Sequence, residues 1–308
     1  MSRFLNVLKE VVGILNESRK LFLKNKKLMF SVLVFPLLLN GLVYLINVFA
    51  IKPEITKLNN ELSLLPTADP SSPEFIAHIM RIFADFRQLV ASSYIFSTLH
   101  AIINLLSVLV IVHASALTHK DENIKIKEFP VFTLQYWKGP LVTYFYIFLF
   151  TLGYWFLFFI ILFPLLVFSS SLYSLAAKFG ALWILFVLFQ SYLAIVWLLS
   201  MVISILEETY GIQALGKAAK IVKGMKLKLF LVNLFFGLLS FGLAQIVMLV
   251  DLQRSLAVTF TISLVLVTSI FALSMFQLVT YTVAYFQCKD VESLKDVEYT
   301  KLSSIASI

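Results

Sequence analysis

Charge is what this sequence is shortest of. Only 14% of its 308 residues are Asp, Glu, Lys or Arg, while 60% are hydrophobic. Soluble domains carry about 25% charged residues, so this chain lacks the surface a water-soluble fold needs. Cysteine is almost missing too. Cys288 stands alone, which excludes an internal disulfide, and nothing flanking it suggests an activated thiol. No phosphate-cradling glycine loop, HExxH, GxSxG or paired carboxylate within an apolar run occurs. No catalytic, metal-binding or cofactor-binding residue is assigned on this basis, and the chain is read as a non-enzyme.

The apolar residues that are there fall into long runs. Six of them, 29–50, 89–117, 140–168, 180–206, 229–250 and 255–287, contain no Asp, Glu, Lys or Arg. Each is long enough to cross about 30 Å of hydrocarbon. Backbone groups in lipid must be satisfied within each segment, so the expected fold is all-α, a polytopic bundle of six transmembrane helices over 29–287. Of the 25 Lys and Arg residues, 19 fall before the first run, in the loops after the second and fourth, and after the last. By the positive-inside rule both termini, 1–28 and the tail 288–308, are then cytosolic. The net charge of +8 thus reads as topology and not as a nucleic-acid footprint. Its partner is the anionic lipid of the cytosolic leaflet. The tail "SSIASI" carries no retrieval signal, which leaves endoplasmic reticulum and plasma membrane both open. Cys288 is read as an inert thiol, with S-acylation at its juxtamembrane position as the alternative.

Outside the runs, residues 1–28 read as an amphipathic helix. Phe4, Leu8, Val11, Val12, Leu15 and Phe22 share a face at helical spacing, with lysines around them. In the loop 51–88, Ser72-Pro73-Glu74 has the order of a helix start: N-cap, Pro at N1, acid in the first turn. The helix that follows presents Ile76, Ile79, Phe83 and Phe86 and runs on into the second span, and the loop as a whole is read as a cap. "RKLFLKNKKLMFSV" at 19–32, "FTLQYWKGPLVTYFYIF" at 132–148 and "AKIVKGMKLKLFLV" at 219–232 echo one another. The echo suggests three repeats, each a cytosolic amphipathic elbow followed by two spans.

Polar side chains inside the runs are few. His100 and His113 lie thirteen residues apart, about 220° around a helix, so they face opposite sides and form no two-histidine site. Asn40 and Asn47 share a face, and Asn104, Gln190, Asn233, Gln245 and Gln277 are spread over the other spans. Amides in lipid act chiefly as interhelical glue, and glue is the expectation here, with a polar track as the alternative.

The richest stretch is "SILEETYGIQALGKAAKIVKGMKLKLF", 204–230. Tyr210 continues the fourth span to the interface, and Gly211 breaks the helix with positive φ. A second helix then turns Ile212, Leu215, Ala219 and Val222 one way and Lys217, Lys220 and Lys223 the other. Glu207 and Glu208 point about 100° apart, so they cannot share a proton. One is expected to complement the N-terminus of the second helix, the other to pair with a base. The candidate elbow is Glu207, Glu208, Tyr210, Gly211, Lys217, Lys220, Lys223 and Gly224.

Glu207-Glu208, Tyr210-Gly211, Ala214-Leu215, Lys217-Ala218 and Lys223-Gly224, together with Asn25-Lys26-Lys27-Leu28 and Ile51-Lys52-Pro53, resemble a family of plant six-span membrane proteins. Some of its members carry the label polyadenylate-binding protein-binding. The elbow alone is more distantly similar to the membrane domain of bacterial glycerophosphodiester phosphodiesterases, whose soluble catalytic domain has no counterpart in these residues. Neither resemblance implies an activity. The expected function is a non-enzymatic organiser of lipids or partner proteins through basic cytosolic elbows; the alternative is a transporter or channel for a small or apolar solute.

Overall fold

The computed structural model describes residues 2–65, 72–120, 136–168, 171–207, 209–250 and 256–306. Every element among them is helical: α1 (Ser2–Lys24), α2 (Lys26–Ile46), a π-turn (Asn47–Ile51), α3 (Lys52–Leu64), α4 (Pro73–His119), α5 (Lys138–Val167), α6 (Leu172–Leu206), α7 (Ile212–Gly224), α8 (Lys226–Val250) and α9 (Leu256–Ala306). Six helices are long and apolar enough to cross a membrane. The chain is an integral membrane protein built as an all-α bundle.

Local sequence sets several of the boundaries. Asn25 caps α2, its side chain accepting from the Leu28 N–H at 3.3 Å. Ser72 accepts from the Phe75 N–H at 3.2 Å, with Pro73 and Glu74 behind it, as the sequence order predicts. Helix α4 then runs 47 residues without a break, about 70 Å at 1.5 Å per residue and more than twice the hydrocarbon thickness.

The chain does not leave the helix at residue 50. Pro53 lacks an N–H and crowds the carbonyl four residues earlier. The backbone accommodates it with the π-turn at Asn47–Ile51 and continues as α3. The expected cap is therefore a two-helix stalk of α3 against the start of α4. Polar ties hold it: Lys57 to Asp85 at 2.6 Å, His78 to Glu61 at 2.8 Å, and the Ser92 hydroxyl to Glu54 at 3.1 Å. Ile76, Phe83 and Phe86 point outward from it.

The core lies at the end of the bundle where α1 leads in and α9 leaves, called the terminal end below. Met29 of α2, Leu109 and Val112 of α4, Leu199 and Ile203 of α6, Ala218 and Val222 of α7, and Met275 and Val279 of α9 pack there in one buried cluster. Helix α1 leans on α8 and α9 through Val11, Ile14, Ser18 and Leu21, with Glu10 paired to Lys228 and Glu17 accepting from Gln287. The stripe read from the sequence is divided: Val11 is buried, whereas Phe4, Leu8 and Val12 face outward. The apolar arc of α1 is wider than the contact it makes. Helices α5 and α6 form an antiparallel hairpin, tied by the Tyr154 hydroxyl donating to the Phe186 carbonyl at 2.6 Å. Its rings interlock around Phe158, Trp155, Trp183 and Phe186. Elbow helices precede the α2–α4 and α8–α9 pairs as the repeat predicts; most of the segment expected before α5 lies outside the described residues.

Candidate functional site

Two polar constellations stand out, one at the elbow and one between the spans. At the elbow α6 ends at Leu206, not at Tyr210. Gly211 takes φ 60° and ψ −130°, a conformation essentially reserved for glycine. Its N–H is received by the Thr143 hydroxyl of α5 at 2.9 Å. A Cβ at Gly211 would sit 2.9 Å from the Tyr146 ring, and a Cβ at Gly139 would overlap the ring of Tyr210 at 2.0 Å. The turn is thus fitted against the first turns of α5. Gly139, Thr143 and Tyr146 therefore belong to the elbow, and no local pattern beyond the Lys138-Gly139 echo points to them.

Glu207 is the hub. Of the two roles expected for the glutamate pair, it takes the pairing with a base. Its Oε2 pairs with Lys217 of α7 at 3.0 Å, and its Oε1 accepts from the Tyr285 hydroxyl of α9 at 2.5 Å, with Lys289 at 3.5 Å. Burial opposes its ionisation, but the Tyr285 hydroxyl, Lys217 and Lys289 outweigh it and hold the carboxyl below the ordinary glutamate range. One carboxylate thereby latches α6, α7 and α9 together. Lys220, Lys223 and Gly224 are exposed along α7, and a Cβ at Gly224 would meet nothing. Glu208 lies outside the described residues.

The second constellation is a vestibule of about 660 Å³ between α2, α4 and α9, with Leu198 of α6 at its back. Helices α2, α4 and α9 pack together at the terminal end through Met29, Leu109, Val112, Met275 and Val279. Exposure along α4 falls with depth, from exposed His100 through half-buried Asn104 to buried Ser107 and Ile111. The vestibule therefore opens toward the stalk and is closed at the terminal end, where Leu109, Val112, Met275 and Val279 pack. Asn40, Tyr44 and Asn47 line it from α2, His100, Asn104 and Ser107 from α4, and Ser274 and Gln277 from α9. The positions on α2 and α4 follow helical i, i+4, i+7 spacing, so each set forms a single stripe. The Asn104 amide lies 3.0 Å from His100 Nε2. The two side chains thus bond to each other along the α4 stripe.

The amides therefore divide by role. Asn233 is glue: it donates to the Ser191 carbonyl at 3.4 Å and accepts from Gln277 at 3.3 Å and from the Tyr281 hydroxyl at 3.4 Å. Asn40, Asn47 and Asn104 line the space, with Asn40 donating to the Pro36 carbonyl of its own helix at 2.8 Å and Asn104 bonded to His100 of its own. Gln277, Tyr281, Tyr285 and Lys289 recur every fourth residue on α9. They join the vestibule to Asn233 and, at the other end, to the Glu207 latch. His113 is buried on α4 near Tyr136, away from His100. Among the described residues no group of three or more His, Cys, Asp or Glu could hold a metal ion.

No curated protein and no solved structure matches the chain. A family model described as a domain of unknown function, DUF8558, matches residues 3–304. That match takes in the stalk, the vestibule and the elbow together, and the chain belongs to the DUF8558 family.

Proposed function

We propose that this protein is a membrane-embedded carrier that takes a small uncharged molecule into the vestibule between α2, α4 and α9. The observation that carries the proposal is the vestibule itself. Amides and an imidazole from separate spans face one space of about 660 Å³, within the range of ligand pockets. Polar side chains in lipid are costly unless they serve packing or a ligand, and Asn47 and Asn104 are not spent on packing. Open toward the stalk and closed at the terminal end, the space is a one-sided cavity and not a through pore. The π-turn at Asn47 puts an irregular, adjustable backbone at the mouth, where such turns often serve function.

Purification of the tagged full chain in mild detergent, with mass spectrometry of what it retains, tests the proposal. Wild type is expected to hold a specific small molecule or lipid that Asn104→Phe, which fills the vestibule, loses. Identical retained molecules in both would contradict it. A second reading, an organiser of anionic lipids or protein partners, is favoured by Lys220 and Lys223 lying exposed on α7. Its test is liposome flotation with those two lysines reversed in charge. Lys217 is left intact because it belongs to the Glu207 latch, so changing it would report on folding as well as on binding.

A further inference from the structure

From the lining of the vestibule we infer its ligand class: a neutral amphipathic molecule of the monoacylglycerol type, with hydroxyl or ester oxygens along one edge and hydrocarbon along the other. This rests on the carrier reading above. No Asp, Glu, Lys or Arg lines the space. The titratable side chains on the lining are Tyr44 and His100, the latter at the mouth and bonded to Asn104. An ion drawn to the closed end, beside Ser107, would find no counter-charge there, at a cost of several kcal/mol, so the occupant is uncharged.

The walls differ in kind. Helices α2 and α4 supply Asn40, Asn47, His100 and Asn104, whereas α9 and α6 turn mainly hydrocarbon inward, Phe271 and Leu198 among it. Seven residues separate Asn40 from Asn47, about 10 Å along the helix axis. The Asn40 amide N–H already donates to the Pro36 carbonyl at 2.8 Å, which leaves its oxygen to accept, and a single hydroxyl would reach only one level of the stripe. Two or more oxygens spaced along one edge of the ligand match it. The apolar opposite wall excludes a molecule that is polar all round, such as a free sugar, because its far hydroxyls would be buried without partners.

The test uses the full chain in nanodiscs, its melting temperature read against 1-octanoylglycerol, octanoate and octylammonium, which share a chain length and differ in the charge of the head. The neutral ester is expected to raise the melting temperature and the two ions to leave it unchanged. Asn104→Leu is expected to weaken the apparent affinity for the ester about fivefold, the effect of one lost neutral hydrogen bond. Ser274→Ala gives a second, milder readout should Asn104→Leu fold poorly, and Lys220→Gln, remote from the vestibule, should change nothing. Octanoate or octylammonium stabilising as strongly, with the same sensitivity to Asn104→Leu, would overturn the neutral class while leaving a solute site standing. No stabilisation by the ester, or one that Asn104→Leu and Ser274→Ala both leave unchanged, would also overturn it. The carrier reading falls by separate results: unchanged retained molecules in Asn104→Phe, or a vestibule closed to water.

Discussion

Gly211 and Glu207 show how much a single residue decides at the elbow. With φ 60° and a tyrosine ring against its α-carbon, Gly211 tolerates no side chain. Gly211→Ala should cost on the order of 2 kcal/mol from backbone strain alone, read as a drop in melting temperature, whereas Gly224→Ala should be neutral or slightly stabilising. Equal effects at the two positions would contradict the assignment. Glu207 has a lowered folded pKa, so its contribution is fully present above the ordinary glutamate value of 4.5 and is lost as pH falls through the lower folded value. Wild type should lose thermal stability on acidification through that window. Glu207→Gln should lack that loss and start about 1–2 kcal/mol less stable at neutral pH, a fifth-exposed carboxylate being partly screened. Tyr-Gly between an apolar run and an Ala- and Lys-rich helix is a local signal, so the break at Gly211 was legible in the sequence. The partners of Glu207 were not, because Tyr285 lies 78 residues away and no local pattern records a tertiary contact.

At the scale of elements, hydrophobic length identified all six spans, since a run that must cross lipid has to be written as such. What lies just beyond the lipid escaped that logic. Charged residues in 51–64 read as a loop, yet α3 continues the helix through a π-turn and pairs with α4 through Lys57–Asp85 and His78–Glu61. Helix α9 carries its own surprise in Gln277, Tyr281, Tyr285 and Lys289, whose spacing of four is plain in "QLVTYTVAYFQCK". Its meaning emerges only when Asn233 and Glu207 come to it from other helices. Asn233→Leu would strand the Tyr281 hydroxyl, which has no exposure at all, and should cost about 2 kcal/mol. Asn47→Leu, at an open lining, should cost well under 1 kcal/mol. Thermal melting of the two variants separates glue from lining, and equal losses would refute that division.

For the molecule as a whole, a latched terminal end lies beneath a vestibule that opens toward the stalk, with α9 passing through both. Which amides gather around the vestibule could not be read from spacing, because it depends on how three separate helices pack. A carrier needs this space to be reached by water and by ligand. The most direct measurement is thiol labelling in intact vesicles, using a chain whose native cysteine is removed by Cys288→Ser and which carries Asn47→Cys, Asn104→Cys or Asn233→Cys in turn. A membrane-impermeant maleimide should label positions 47 and 104 and spare position 233, which is held by Ser191, Gln277 and Tyr281. Uniform protection of all three positions from the reagent would contradict the account.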